Sequence, residues 1–129
     1  MSPALTLLMW SIALTFIQML IAVSAATLQV GLPKLAGNRE DVPRLSGLAW
    51  RAQRAHFNML ESMVLLTALV LTAELANKDD SMIRLGAQLF FWGRLAYAII
   101  FVGGIPWART AVWGISVVGM VLIFLQLLM

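Results

Sequence analysis

Apolar residues in this chain fall into four long runs, parted by three short polar or glycine- and proline-rich interruptions. The first run follows Ser2-Pro3, a good helix start, and continues to Val30 with only Ser, Thr and Gln as polar breaks. Gly31-Leu32-Pro33 is expected to end that helix, because proline lacks an amide donor and disfavours helix in the residue before it. Lys34 to Pro43 then collects Lys34, Arg39, Glu40 and Asp41 in a Gly/Pro/Asn setting, which predicts a surface loop. Asn77-Lys78-Asp79-Asp80-Ser81 reads as a polar turn and Gly103-Gly104-Ile105-Pro106 as a tight break. Helices are therefore expected over about 4–30, 46–76, 82–102 and 108–128. Each run approaches the ~20 residues that cross a bilayer core about 30 Å thick. The pattern predicts an all-α integral membrane four-helix bundle, a single domain over residues 1–129. The first run has no basic n-region and is too long for a signal peptide, so it is read as a retained span.

The second helix departs from the simple pattern. Its purely apolar part, Met63 to Ala73, is too short to span alone. In front of it stands R-A-Q-R-A-H-F-N-M-L-E, residues 51–61. At about 100° per residue, Arg51, Arg54, Asn58 and Glu61 fall within roughly 80° of one another, on one face. His56 points elsewhere, and Phe57, Leu60 and Val64 are expected to meet apolar neighbours. Charged groups at membrane depth cost about 2.5–3.5 kcal/mol on the insertion scale and usually face a bundle interior or wet cavity. This face is read as a binding site.

The third helix carries Arg94 near its middle, with Tyr97 and Phe101 on the same stripe. Counted from the turn at 77–81, Glu61 and Arg94 both lie roughly 20 Å deep. Opposite charges at one depth suggest that the two are paired directly or bridged by a ligand, since either alone is costly to bury. Gly86, Gly93, Gly114 and Gly119 are read as close-packing positions, and Trp107 as an interfacial anchor.

Composition narrows the chemistry. The 129 residues are 61% hydrophobic and 12% charged, with a mean hydropathy of +0.89, against about 25% charged in a soluble domain. The net charge of +3 comes from basic residues gathered at membrane edges, which topology explains without nucleic acid. With no cysteine, disulfides and protein thiolate chemistry are excluded, and with one histidine no metal site is expected. A nucleophile, if the chain uses one, has to come from a ligand. Lys34, Arg39, Arg44, Arg51, Arg54 and Arg109 mark one membrane side, while Lys78 and Arg84 mark the other. The positive-inside rule puts the richer side in the cytoplasm and both termini outside.

Three motifs in order, R-A-Q-R-A-H-F-N-M-L-E at 51–61, G-R-L-A-Y at 93–97 and G-G-I-P-W-A-R at 103–109, resemble the MAPEG family, the membrane-associated proteins in eicosanoid and glutathione metabolism. That family includes microsomal glutathione transferases and the leukotriene C and prostaglandin E synthases. The layout is similar over essentially the whole chain, and the resemblance is to a bacterial-type, glutathione transferase-like member. It implies a homotrimer of four-helix subunits in the bacterial inner membrane, with glutathione bound between subunits near the cytoplasmic face. By position it assigns Arg54, Asn58 and Glu61 to glutathione binding, preceded by Arg51. It adds Arg94 and Tyr97 on the third helix, and Lys34 as a basic residue after the first. Arg109 resembles the arginine proposed in some members to stabilise the glutathione thiolate. Phe101 stands where several members have a tyrosine, so a hydroxyl contact to glutathione is missing.

The resemblance implies a workable chemistry. Glutathione has two carboxylates, an amine and a thiol of ordinary pKa near 8.5; guanidinium groups fork carboxylates, Glu61 could hold the amine and Asn58 an amide. A cation near sulfur favours the thiolate, with Arg109 the first choice and Arg94 the second. A hydrophobic electrophile dissolved in membrane lipid would meet that thiolate. The expected activity is glutathione S-transferase or peroxidase. Two rivals remain: a non-catalytic protein of this fold binding glutathione or another small anion, and a small transporter or channel subunit that uses Glu61 and Arg94 as a relay.

Overall fold

A computed structural model describes residues 1–40 and 42–129. Asp41, part of the charged connector in the sequence reading, lies outside the described residues. Among the described residues there is no strand, and the elements are α1 (Pro3–Val30), α2 (Leu32–Ala36), α3 (Gly47–Leu75), α4 (Ser81–Gly103) and α5 (Pro106–Leu128). All but α2 are long and apolar enough to cross a membrane. The chain is an all-α integral membrane protein.

Local chemistry sets the helix ends. The Ser2 hydroxyl accepts from the Leu5 amide at 3.1 Å, and Asp80 Oδ1 accepts from the Ile83 amide at 3.0 Å, so both α1 and α4 start on a side-chain cap. Gly104 closes α4 at φ +81°, a left-handed turn that L side chains resist, and its amide donates to the Phe101 carbonyl at 3.0 Å. Pro106 follows as the first residue of α5. The expected loop after Gly31 needs correction: Leu32–Ala36 forms a short helix. Gly31, at φ +95°, ends α1, while the fixed φ of Pro33 suits a first helical turn; the same preference starts α5 at Pro106, two residues ahead of the expected 108.

Packing follows small residues. α4 lies most closely on α5, and α1 on α3, with α4 wedged against both of the latter. A Cβ added to Gly86 would stand 2.5 Å from the Gly119 carbonyl oxygen, so the α4 and α5 backbones touch there, as glycines permit in membrane helices. Gly93 repeats the approach one step on, where a Cβ would lie 3.1 Å from the Ser116 amide. Gly114, by contrast, faces open space. Between these pairs the core is filled by Met59, Leu66, Val70, Ile83, Phe90 and Ile123, all essentially inaccessible.

At the end holding the termini, polar side chains tie the helices in pairs. Ser2 Oγ donates to Glu74 Oε2 at 3.0 Å, joining α1 to α3. Gln126 Nε2 donates to Asp80 Oδ2 at 2.7 Å and Lys78 Nζ to the Gln126 carbonyl at 3.1 Å, joining α4 to α5. The opposite end is held more sparsely. There Gln29 exchanges two hydrogen bonds with the Ser46 backbone, and α3 touches α5 only lightly, which leaves a gap between α3 and the α4–α5 pair.

Candidate functional site

That gap is a cavity of about 360 Å³. α3 contributes Arg54, Asn58 and Glu61, spaced i, i+4 and i+7 so that they form one stripe. α4 contributes Tyr97 and Phe101, one turn apart, and the first two turns of α5 contribute Arg109, Thr110 and Trp113. The left-handed turn at Gly104 makes this possible by reversing the chain at once, so that the first turns of α5 lie beside the last turns of α4.

Aromatic faces hold the cations in place. Arg109 Cζ lies 4.9 Å from the centroid of Phe101, and Arg54 Cζ lies 6.0 Å from that of Trp50. Both are within the ~6 Å reach of a cation–π contact. Tyr97 and Phe101 pack as a tilted pair with centroids 5.5 Å apart, and Trp50 and Phe101 as another at 6.4 Å. The aromatic residues thus form a floor on which two guanidinium groups rest, facing one carboxylate, Glu61. Asn58 Oδ1 is buried without a hydrogen-bond partner. It is an acceptor at the cavity wall that a ligand N–H can satisfy.

Other residues singled out by sequence lie elsewhere. Arg51 does not line the cavity; its Nε donates to the Val102 carbonyl at 3.0 Å, fastening α3 to the end of α4. Lys34 is exposed on α2 beside Asn38 and Arg39 in a separate surface hollow. Arg94 is 1% exposed, packed with its Cζ 4.3 Å from the Tyr97 centroid and its Nε 3.4 Å from Met59 Sδ. The direct Glu61–Arg94 ion pair is absent: among the described residues the one salt bridge is Arg84–Asp79. Glu61 points to the open cavity while Arg94 is held behind Tyr97, with Nη1 and Nη2 unpartnered. Equal depth in the bilayer did not place them on facing sides. Phe57, Leu60 and Val64 are 46%, 43% and 71% exposed on the outside of the single chain, where lipid is an apolar neighbour, and Phe57 also lines the cavity. His56 is buried, 6.0 Å from the Phe57 ring, with Nδ1 unpartnered.

Trp50, Thr110 and Trp113 line the cavity although the sequence reading passed over them. Their spacing carried a signal, since Trp50 precedes Arg54 by one turn and Trp113 follows Arg109 by one turn. Among the described residues no group of His, Asp and Glu could hold a metal ion.

Four helices long and apolar enough to cross a membrane, three of which enclose a cationic, aromatic-floored cavity, define a polytopic helical membrane protein. The family model of the MAPEG family matches residues 4–129, and the chain belongs to that family. No curated protein matches it.

Proposed function

We propose that this chain is a membrane-bound glutathione-binding protein, a glutathione S-transferase or peroxidase that activates the thiol for attack on hydrophobic electrophiles. The observation that carries the reading is charge complementarity: Arg54, Arg109 and Glu61 share one cavity, and glutathione brings carboxylates, a thiol that ionises to an anion and one amine. Arg54 takes one carboxylate, Arg109 faces the sulfur at the centre of the tripeptide, Glu61 takes the amine, and the unpartnered Asn58 Oδ1 accepts a peptide N–H. Arg109 beside sulfur favours the thiolate, while Phe101 and Trp113 leave the lipid side apolar for the electrophile. Arg94 supports the site through Tyr97, and Arg51 and Lys34 contribute positive potential from outside the cavity.

In this proposal three copies form a homotrimer in a bacterial inner membrane, with the cavity open to the cytoplasm and both termini outside, as the basic residues around Arg39, Arg44 and Arg51 favour. A second reading, binding without catalysis, draws on Phe101, which offers Arg109 a ring and glutathione no hydroxyl. The test is the ultraviolet thiolate absorbance of glutathione added to purified protein near pH 7, for wild type and Arg109→Ala. Saturable absorbance lost in the variant supports the transferase. Calorimetric binding with no thiolate signal supports the second reading, and absence of both removes glutathione from the site.

A further inference from the structure

Behind the α3–α4 wall, on the side away from the cationic cavity, lies a second hollow of about 330 Å³. Leu14, Ile17 and Ile21 of α1 form one bank, and Leu95, Ile99 and Val102 of α4 the other. Ala52, Ala55 and Ala98 also line it, and their short side chains leave the space between the helices unfilled. The two hollows share no lining residue. Its size is at the small end of the ~300–1,000 Å³ typical of small-molecule sites.

One residue makes this more than a lipid-filled crease. Gln18 lines the groove, is 6% exposed, and its Oε1 has no hydrogen-bond partner. In the hydrocarbon region no bulk water is at hand to satisfy such a group. A purely apolar occupant leaves the amide unsatisfied, whereas a hydroxyl at the right height satisfies it.

We infer that the groove between α1 and α4 binds an apolar membrane-soluble molecule bearing a hydroxyl group, such as a long-chain alcohol or a phenol, through the side-chain amide of Gln18. The chain of the ligand lies along Ile17, Ile21, Leu95 and Ile99, and its hydroxyl donates to Gln18 Oε1. The inference stands independently of the glutathione reading.

The test uses the full chain in phosphatidylcholine nanodiscs with a diazirine-bearing dodecanol as photoprobe, followed by peptide mapping. Saturable labelling of α1 and α4 peptides is expected. Dodecanol should compete about three- to tenfold better than dodecane, the value of one net hydrogen bond, and Gln18→Leu should bring that ratio close to one. Equal competition by the two in wild type, or label spread over every lipid-facing helix, would mean bulk lipid only and overturn the inference. Thermal unfolding without alcohol gives a second readout. Gln18→Leu should be at least as stable as wild type, because an unsatisfied amide has been removed. A less stable or unfolded variant would show instead that the amide is bonded within the protein, and would equally overturn it.

Discussion

The guanidinium of Arg109 sits over the ring of Phe101, Cζ to centroid 4.9 Å, so the residue that lacks a tyrosine hydroxyl still supports the cation of the site. A ring at this position orients Arg109 toward the cavity, worth about 0.5–2 kcal/mol for a cation–π contact. If the proposed glutathione function holds, Phe101→Tyr should therefore keep the thiolate signal, while Phe101→Leu should lower it severalfold. A leucine variant with wild-type thiolate absorbance would show that the ring has no part in placing Arg109.

Glu61 and Arg94 should prove energetically separate in the ligand-free protein. They form no ion pair, and Arg94 rests on Tyr97 and Met59 instead. A double-mutant cycle with Glu61→Gln and Arg94→Met, read by thermal unfolding in detergent, should give a coupling within about 0.5 kcal/mol. Coupling of several times that size would reinstate the direct pair.

The α4–α5 seam depends on backbone contact at Gly86 and Gly119. Added methyl groups meet carbonyl oxygen and backbone nitrogen there, atoms that cannot swing aside. Gly86→Ala should destabilise by about 1–3 kcal/mol or more through overpacking. Gly114→Ala, on a part of the same α5 with open space around it, serves as the control and should be close to neutral.

Asp80 does two jobs at the far end, capping α4 through Ile83 and accepting from Gln126 at 2.7 Å. Asp80→Ala should cost about 0.5–2 kcal/mol for the cap alone and more for the tie to α5. Gln126→Leu, which removes only the tie, should cost less. Comparing the two unfolding midpoints separates cap from tie, and equal losses would assign the whole effect to the tie.

Much of the fold was legible in the one-dimensional pattern. Four apolar runs and their Gly/Pro/Asn breaks gave the helices to within a few residues, because bilayer thickness and backbone satisfaction leave a membrane segment few alternatives. The short α2 escapes the pattern because Pro33, read as a helix stop, sits in a first helical turn after the break at Gly31. Helical spacing also grouped Arg54, Asn58 and Glu61 on α3, and Tyr97 with Phe101 on α4, since residues three and four apart share a face whatever surrounds them.

What periodicity cannot give is which faces meet. The rotation of α4 against α5 is set where glycines let the two backbones touch, at Gly86, Gly93 and Gly119, and in the packed bundle Arg94 lies behind Tyr97 and away from Glu61. The packing of α3 on α4 gives Arg51 to the Val102 carbonyl rather than to the cavity, and the packing of α5 on α4 brings Arg109 over Phe101. Residue types, depth and local stripes were properties of the sequence alone. Partnership between stripes belonged to the tertiary structure, because it depends on the packing of α3, α4 and α5 against one another.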